Sequence, residues 1–143
     1  MVIQKVTLIS SLLGLLLVTT IVGHFFPPTS ILVTPFVITV MTGLIMLTDY
    51  ELPILIKSLI SYSFIGLNDI GIKLFAGGIH DYEGLGWIYM LLLIGLVPCS
   101  IILIIGVLRD EKSVAITKLI SVFIFVLLIY VHLELFNSVG LRL

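Results

Sequence analysis

Long apolar runs are the feature that most constrains what this chain can fold into. Four such runs stand out, and a less uniform segment lies between the second and the third. A helix needs about 20 apolar residues to cross the hydrocarbon core of a bilayer, so each run is a candidate membrane span. We expect "PPTS" at 27–30 to end the first span and Pro35 to lie in the first turn of the second. The predicted spans are Val6–Phe26, Ile31–Thr48, Leu85–Leu108 and Val114–Phe136.

The composition supports an integral membrane protein. The chain is 60% hydrophobic and only 10% charged, whereas about 25% of the residues in a soluble domain are charged. The net charge of -1 and the lack of a long basic run argue against nucleic acid as a partner. Cys99 is the chain's one cysteine, which excludes an internal disulfide, and we expect it to be a small buried hydrophobe.

The segment Leu52–Phe75 is apolar at its start but becomes polar before its end. It contains Lys57, and later Asn68, Asp69 and Lys73. Asp69 and Lys73 are four residues apart, so on a continuous helix they share a face and can form an ion pair. The segment is either a fifth span with a polar exit or a re-entrant half-helix.

The distribution of positive charge favours five spans, because cytoplasmic loops carry an excess of Lys and Arg. With four spans this bias nearly disappears. We therefore predict an all-α fold, a single polytopic domain over residues 1–143 in a bacterial inner membrane, with the N-terminus cytoplasmic and the C-terminus outside. With five spans, one face holds Lys5, Lys57, Arg109, Lys112 and Lys118, and the other holds only Lys73 and Arg142.

The glycine-rich polar stretch 68–86 is predicted to be a long loop on the outer face. Glycines permit close backbone approaches, and loops on rigid scaffolds often carry binding function. Trp87, where the next helix enters the membrane, fits an interfacial aromatic belt. The residues predicted to form this docking surface are Asn68, Asp69, Lys73, Gly77, Gly78, His80, Asp81, Glu83 and Trp87.

Five-span topology also brings all three histidines to the outer face, together with several carboxylates. Imidazole and carboxylate groups suit a divalent metal, although their spacing matches no specific metal motif. A haem held by His24 and His132 is a weaker alternative, and no cofactor is predicted. The candidate metal ligands are His24, Asp69, His80, Asp81, Glu83 and His132.

The chemistry in the sequence favours a binding role over catalysis. There is no G-x-S-x-G motif, and Cys99 is predicted to lie far in depth from the histidines. We predict a non-enzymatic accessory or assembly subunit of a membrane complex, with the bilayer and a membrane protein as its partners. One alternative is a small metal-dependent membrane enzyme or metal-binding protein acting on a lipid-linked substrate. A weaker alternative is an oligomeric transporter or channel lined by Ser and Thr. Small residues on the helix faces are expected to hold the bundle together, with a homo-oligomer interface as the alternative.

Overall fold

The protein is a bundle of five helices, seen in a computed structural model. The structure describes residues 2–48, 52–75, 82–136 and 138–139, without the side chains of residues 2–5. In chain order the helices are α1 (Val2–Phe25), α2 (Pro27–Leu47), α3 (Ile54–Phe75), α4 (Tyr82–Arg109) and α5 (Ala115–Leu135).

The predicted all-α membrane bundle is confirmed. Four of the helices, namely α1, α2, α4 and α5, are long and apolar enough to cross a membrane. Helix α3 has 22 residues, which corresponds to about 33 Å at ~1.5 Å per residue and matches the ~30 Å hydrocarbon core. It runs without a break from Ile54 to Phe75, whereas a re-entrant half-helix would reverse within the segment.

The junction between α1 and α2 differs from the prediction. Pro27 and Pro28 are the first two residues of α2 rather than part of a linker, and only Phe26 separates the two helices. Proline suits this position because its fixed φ matches the helix and its missing N–H has no acceptor in a first turn. Pro35 consequently lies inside α2 and not in its first turn.

The predicted loop 68–86 is also shorter than expected. Residues 68–75 belong to α3 and residues 82–86 to the start of α4. Asn68, Asp69 and Lys73 continue α3 because neighbouring helices bury them. Glu83 is exposed in the first turn of α4, where an acidic residue favours a helix start. Residues 76–81 lie outside the described part of the chain.

Helix α3 occupies the centre of the bundle, since it packs on all four other helices. It buries polar residues together with apolar ones such as Phe64 and Ile65, and it turns other apolar side chains such as Leu67 outward. This placement explains how a less apolar helix fits in a membrane bundle: neighbouring helices, not lipid, surround its polar groups. The polar residues that α3 buries are Ser58, Ser61, Asn68, Asp69 and Lys73.

Two contacts align the C-terminal ends of α1, α3 and α5. His24 Nδ1 lies 3.3 Å from the carbonyl oxygen of Phe75, and His132 Nε2 lies 2.9 Å from Asp69 Oδ2. We call this end of the bundle, which also contains the start of α4, the aromatic end. The exposed aromatic side chains there are Phe25, Phe26, Phe75, Tyr82, Trp87 and Tyr130.

The opposite end carries most of the lysines and arginines, and we call it the basic end. Lys57 Nζ donates to the Thr48 carbonyl across the α2–α3 connection at 2.9 Å. Lys118 Nζ donates to the Leu108 carbonyl across the α4–α5 turn at 3.3 Å. The backbone therefore groups at one end the positive residues Lys5, Lys57, Arg109, Lys112 and Lys118.

Helices α2 and α4 form the tightest pair in the bundle. Gly95 of α4 lies against α2 so closely that a Cβ there would be 2.8 Å from the Cα of Pro35 and 2.5 Å from Ile38 Cδ1. Cys99, one turn further along α4, is fully buried, as expected. Small residues at such positions let two helix backbones approach in a membrane.

Candidate functional site

An ion pair between Asp69 and Lys73 lies inside the bundle near the aromatic end. Lys73 Nζ is 2.6 Å from Asp69 Oδ2, and both side chains are almost completely buried, at 2% and 1% exposure. The spacing of four residues puts both on one face of α3, so this predicted pair is confirmed. Two opposite charges held this close avoid the cost of burying either one alone.

Lys73 also joins α3 to α5. Its ammonium donates a second hydrogen bond, 2.9 Å long, to the carbonyl oxygen of Phe136. Phe136 is the C-cap residue of α5, where backbone carbonyls lack a helical donor. The positive charge also lies at the negative end of the α5 dipole, which adds to the attraction.

His132 completes the cluster from α5. Its Nε2 donates to Asp69 Oδ2 across 2.9 Å, so this oxygen accepts from both His132 and Lys73. The imidazole stacks on Phe136 with ring centroids 4.8 Å apart and meets the edge of Tyr62. Gly66 makes room for it, because a Cβ at that position would lie 3.3 Å from His132 Nδ1. We call Asp69, Lys73 and His132 the Asp69 cluster.

Asn68 extends the polar region toward α1. Thr19 Oγ1 lies 3.4 Å from Asn68 Oδ1 and 2.9 Å from the Leu16 carbonyl, which is the shorter of its two bonds. Within the described residues, Asp69 Oδ1, Asn68 Nδ2 and Ser61 Oγ have no hydrogen-bond partner although they are buried. The cluster thus joins α3 to α5, the contact between Asn68 and Thr19 joins α3 to α1, and some hydrogen-bonding capacity stays unused.

Of the candidate metal ligands, the Asp69 cluster brings together Asp69 and His132. The described residues include no group of three or more candidate metal ligands. Asp69 and His132 do meet, but the ammonium of Lys73 already provides the cation beside the carboxylate. His24 lies apart from them on the surface, at the end of α1.

His132 directs its Nε2 to Asp69, which leaves Nδ1 as its other ring nitrogen. A haem held by His24 and His132 stays a prediction. His80 and Asp81 lie outside the described residues, so a metal bound by these residues and Glu83 stays a prediction.

The predicted docking residues divide into three groups. Asn68, Asp69 and Lys73 are buried inside the bundle. Glu83 and Trp87 are exposed in the first two turns of α4. Gly77, Gly78, His80 and Asp81 lie outside the described part of the chain.

Sequence reasoning missed two residues of this region. Tyr82 is 80% exposed at the start of α4, beside Glu83. The sequence signal that could have identified it is its closeness to the other aromatic residues at the start of this helix. Phe136 acts through its backbone carbonyl and its ring. A backbone carbonyl that accepts a hydrogen bond from a distant residue cannot be predicted from a pattern of side chains.

The fold and the cluster define a multi-pass helical membrane protein whose central helix carries a buried ion pair. No protein-family model, no curated protein and no solved structure matches the chain.

Proposed function

We propose that this protein is a non-enzymatic accessory or assembly subunit of a membrane complex, which docks through its aromatic end. The observation that carries the proposal is that buried ionisable groups at this end bond to the protein itself. Asp69 accepts hydrogen bonds from Lys73 and His132, and Lys73 also donates to the C-terminus of α5. Such a cluster supplies rigidity, which a docking platform needs.

Exposed residues at the same end of the bundle suit a protein partner. Tyr82 and Trp87 are 80% and 52% exposed, and large aromatic residues supply most of the binding energy in many interfaces. Glu83 lies between them in sequence, in the first turn of α4, and adds one negative charge. We define these three residues as the docking patch.

The proposal predicts a membrane partner that co-purifies in stoichiometric amount in mild detergent. We expect the double variant Glu83→Lys/Trp87→Ala to lower the recovered partner at least tenfold, because interface anchors often contribute about 2 kcal/mol or more each. Quantitative mass spectrometry of the purified complex, expressed at its natural level, measures the ratio.

The matched control is Glu111→Lys/Phe123→Ala. It makes the same charge change and removes an exposed aromatic ring, but away from the docking patch. The control should retain the partner. Equal loss in both variants, or a wild-type protein that carries no stoichiometric partner, would contradict the proposal.

We further propose that the basic end faces the cytoplasm of a bacterial cell and the aromatic end faces outward. The support is the positive-inside bias: the basic end groups five lysines and arginines, whereas among the described residues the aromatic end holds only Lys73, which Asp69 neutralises.

Thiol labelling tests this orientation, because the one native cysteine, Cys99, is fully buried. Ser138→Cys, at the aromatic end, should react with a membrane-impermeant maleimide in cells whose outer membrane has been opened. Ser113→Cys, in the α4–α5 turn, should react only after the inner membrane is permeabilised. The opposite labelling pattern would reverse the topology.

A further inference from the structure

The turn between α4 and α5, at the basic end, concentrates positive charge at the surface. It runs from Arg109, the last residue of α4, to Ala115, the first residue of α5. Arg109 and Lys112 are exposed, and Lys118 reaches back from α5 to donate to the Leu108 carbonyl. Three cationic side chains therefore lie within one short segment.

The acidic residues of the turn form no ion pair with these cationic side chains. Asp110 accepts a hydrogen bond from the backbone N–H of Lys112 at 3.3 Å, and Glu111 points to solvent. Among the described residues, none of the three cations lies within 4.0 Å of a carboxylate oxygen, since the ion pairs found there involve only Asp69.

The start of α5 adds unused hydrogen-bond donors to this charge. Val114 is the N-cap residue and makes no side-chain capping bond, and the first turn contains no acidic residue. The first backbone bond here is from Lys118 N to the Val114 carbonyl. Within the described chain, the N–H groups of residues 115–117 find no acceptor. An anion would satisfy them, and it would also meet the positive end of the helix dipole.

Apolar side chains flank the same turn on the lipid side. Leu108 and Leu119 are 69% and 67% exposed, and Ile116 is 61% exposed. Helix α5 packs mainly on α3 and only slightly on α4, so these faces of α4 and α5 are left for acyl chains. The positive charge and the free N–H donors thus match the phosphate headgroup of a phospholipid, and the apolar flanks match its acyl chains.

We propose that the α4–α5 turn binds the headgroup of one anionic phospholipid. Its phosphate accepts from Arg109, Lys112 and the N–H groups at the start of α5, while its acyl chains lie along Leu108 and Leu119. Lys118 is a positioning residue, because its bond to Leu108 fixes the turn across the ends of the two helices.

Native mass spectrometry of the protein in neutral detergent, titrated with phosphatidylglycerol, tests the proposal. We expect one saturable lipid on the wild type and much weaker binding of phosphatidylcholine. A juxtamembrane Lys or Arg contributes about 1 kcal/mol toward anionic lipid, so Lys112→Gln should weaken binding about fivefold. Arg109→Gln/Lys112→Gln should weaken it about 30-fold.

The matched control is Lys5→Gln, which removes one positive charge from the same end of the bundle. Lys5 lies in α1, and α1 makes no contact with α4 or α5 in the described structure, so this variant should bind the lipid as the wild type does. Inorganic phosphate at the same concentration should not displace the lipid, because it lacks the acyl chains. Equal binding of the two lipids, equal loss in Lys5→Gln, or displacement by phosphate would overturn the proposal.

Discussion

Replacing Asp69 with asparagine is expected to destabilise the protein by about 3–5 kcal/mol, the cost of leaving a buried charge without its partner. The side chain keeps its size, but the ammonium of Lys73, only 2% exposed, loses the carboxylate that neutralises it. The free energy of unfolding can be measured by SDS titration in mixed micelles. The fluorescence of Trp87, the chain's one tryptophan, follows the transition.

Two further variants separate the charge effect from a general loss of structure. Glu134→Gln removes an exposed carboxylate from the same helix end as His132, and it should change stability by less than about 0.5 kcal/mol. Asp69→Asn/Lys73→Met removes both buried charges and leaves an amide oxygen to accept from His132. This double variant should be more stable than Asp69→Asn alone. A stable Asp69→Asn protein would mean that Lys73 reaches the interface without its partner.

Replacing Gly95 with alanine is expected to cost about 1–3 kcal/mol, the usual penalty of overpacking a core. The new methyl group would lie 2.8 Å from the Cα of Pro35 and 2.5 Å from Ile38 Cδ1. The isoleucine end can rotate away, but a backbone atom of α2 moves only if the whole helix shifts. The same SDS titration measures the loss, and thermal unfolding in detergent gives an independent value.

Gly14→Ala is the matched control for this prediction. No heavy atom lies within 4 Å of a Cβ built at Gly14, so alanine fits without strain. Alanine is also the better helix former by about 1 kcal/mol. We therefore expect Gly14→Ala to be neutral or stabilising. Equal stabilities for the two variants would show that α2 and α4 pack less closely than described.

Local patterns in the sequence predicted much of the fold. Apolar runs indicated the spanning helices, because hydropathy is a sum over neighbouring residues. The Asp69–Lys73 pair followed from helical spacing alone. The errors lie at helix boundaries. Pro27 begins α2, and Glu83 lies inside α4, because proline and glycine are compatible with a first turn as well as with a loop.

The partners of His132 could not be predicted from local sequence patterns. His132 and Asp69 are 63 residues apart in the chain, and no periodicity links them. The predicted topology placed His132 and Asp69 at the same membrane face. It did not predict that the His132 side chain would point into the bundle and contact Gly66 and Asp69. The three polar residues Asn68, Asp69 and Lys73 were expected on a docking surface for the same reason, and they are buried.

The sequence by itself determined the class of protein, the number of helices and the separation of charge between the two ends. These properties depend on composition and on residues within one or two turns of each other. Only the tertiary structure decided that α3 is central and that its polar face lies inside the bundle. The reason is that burial depends on which helix faces meet, and this follows from the packing of whole surfaces rather than from any one segment.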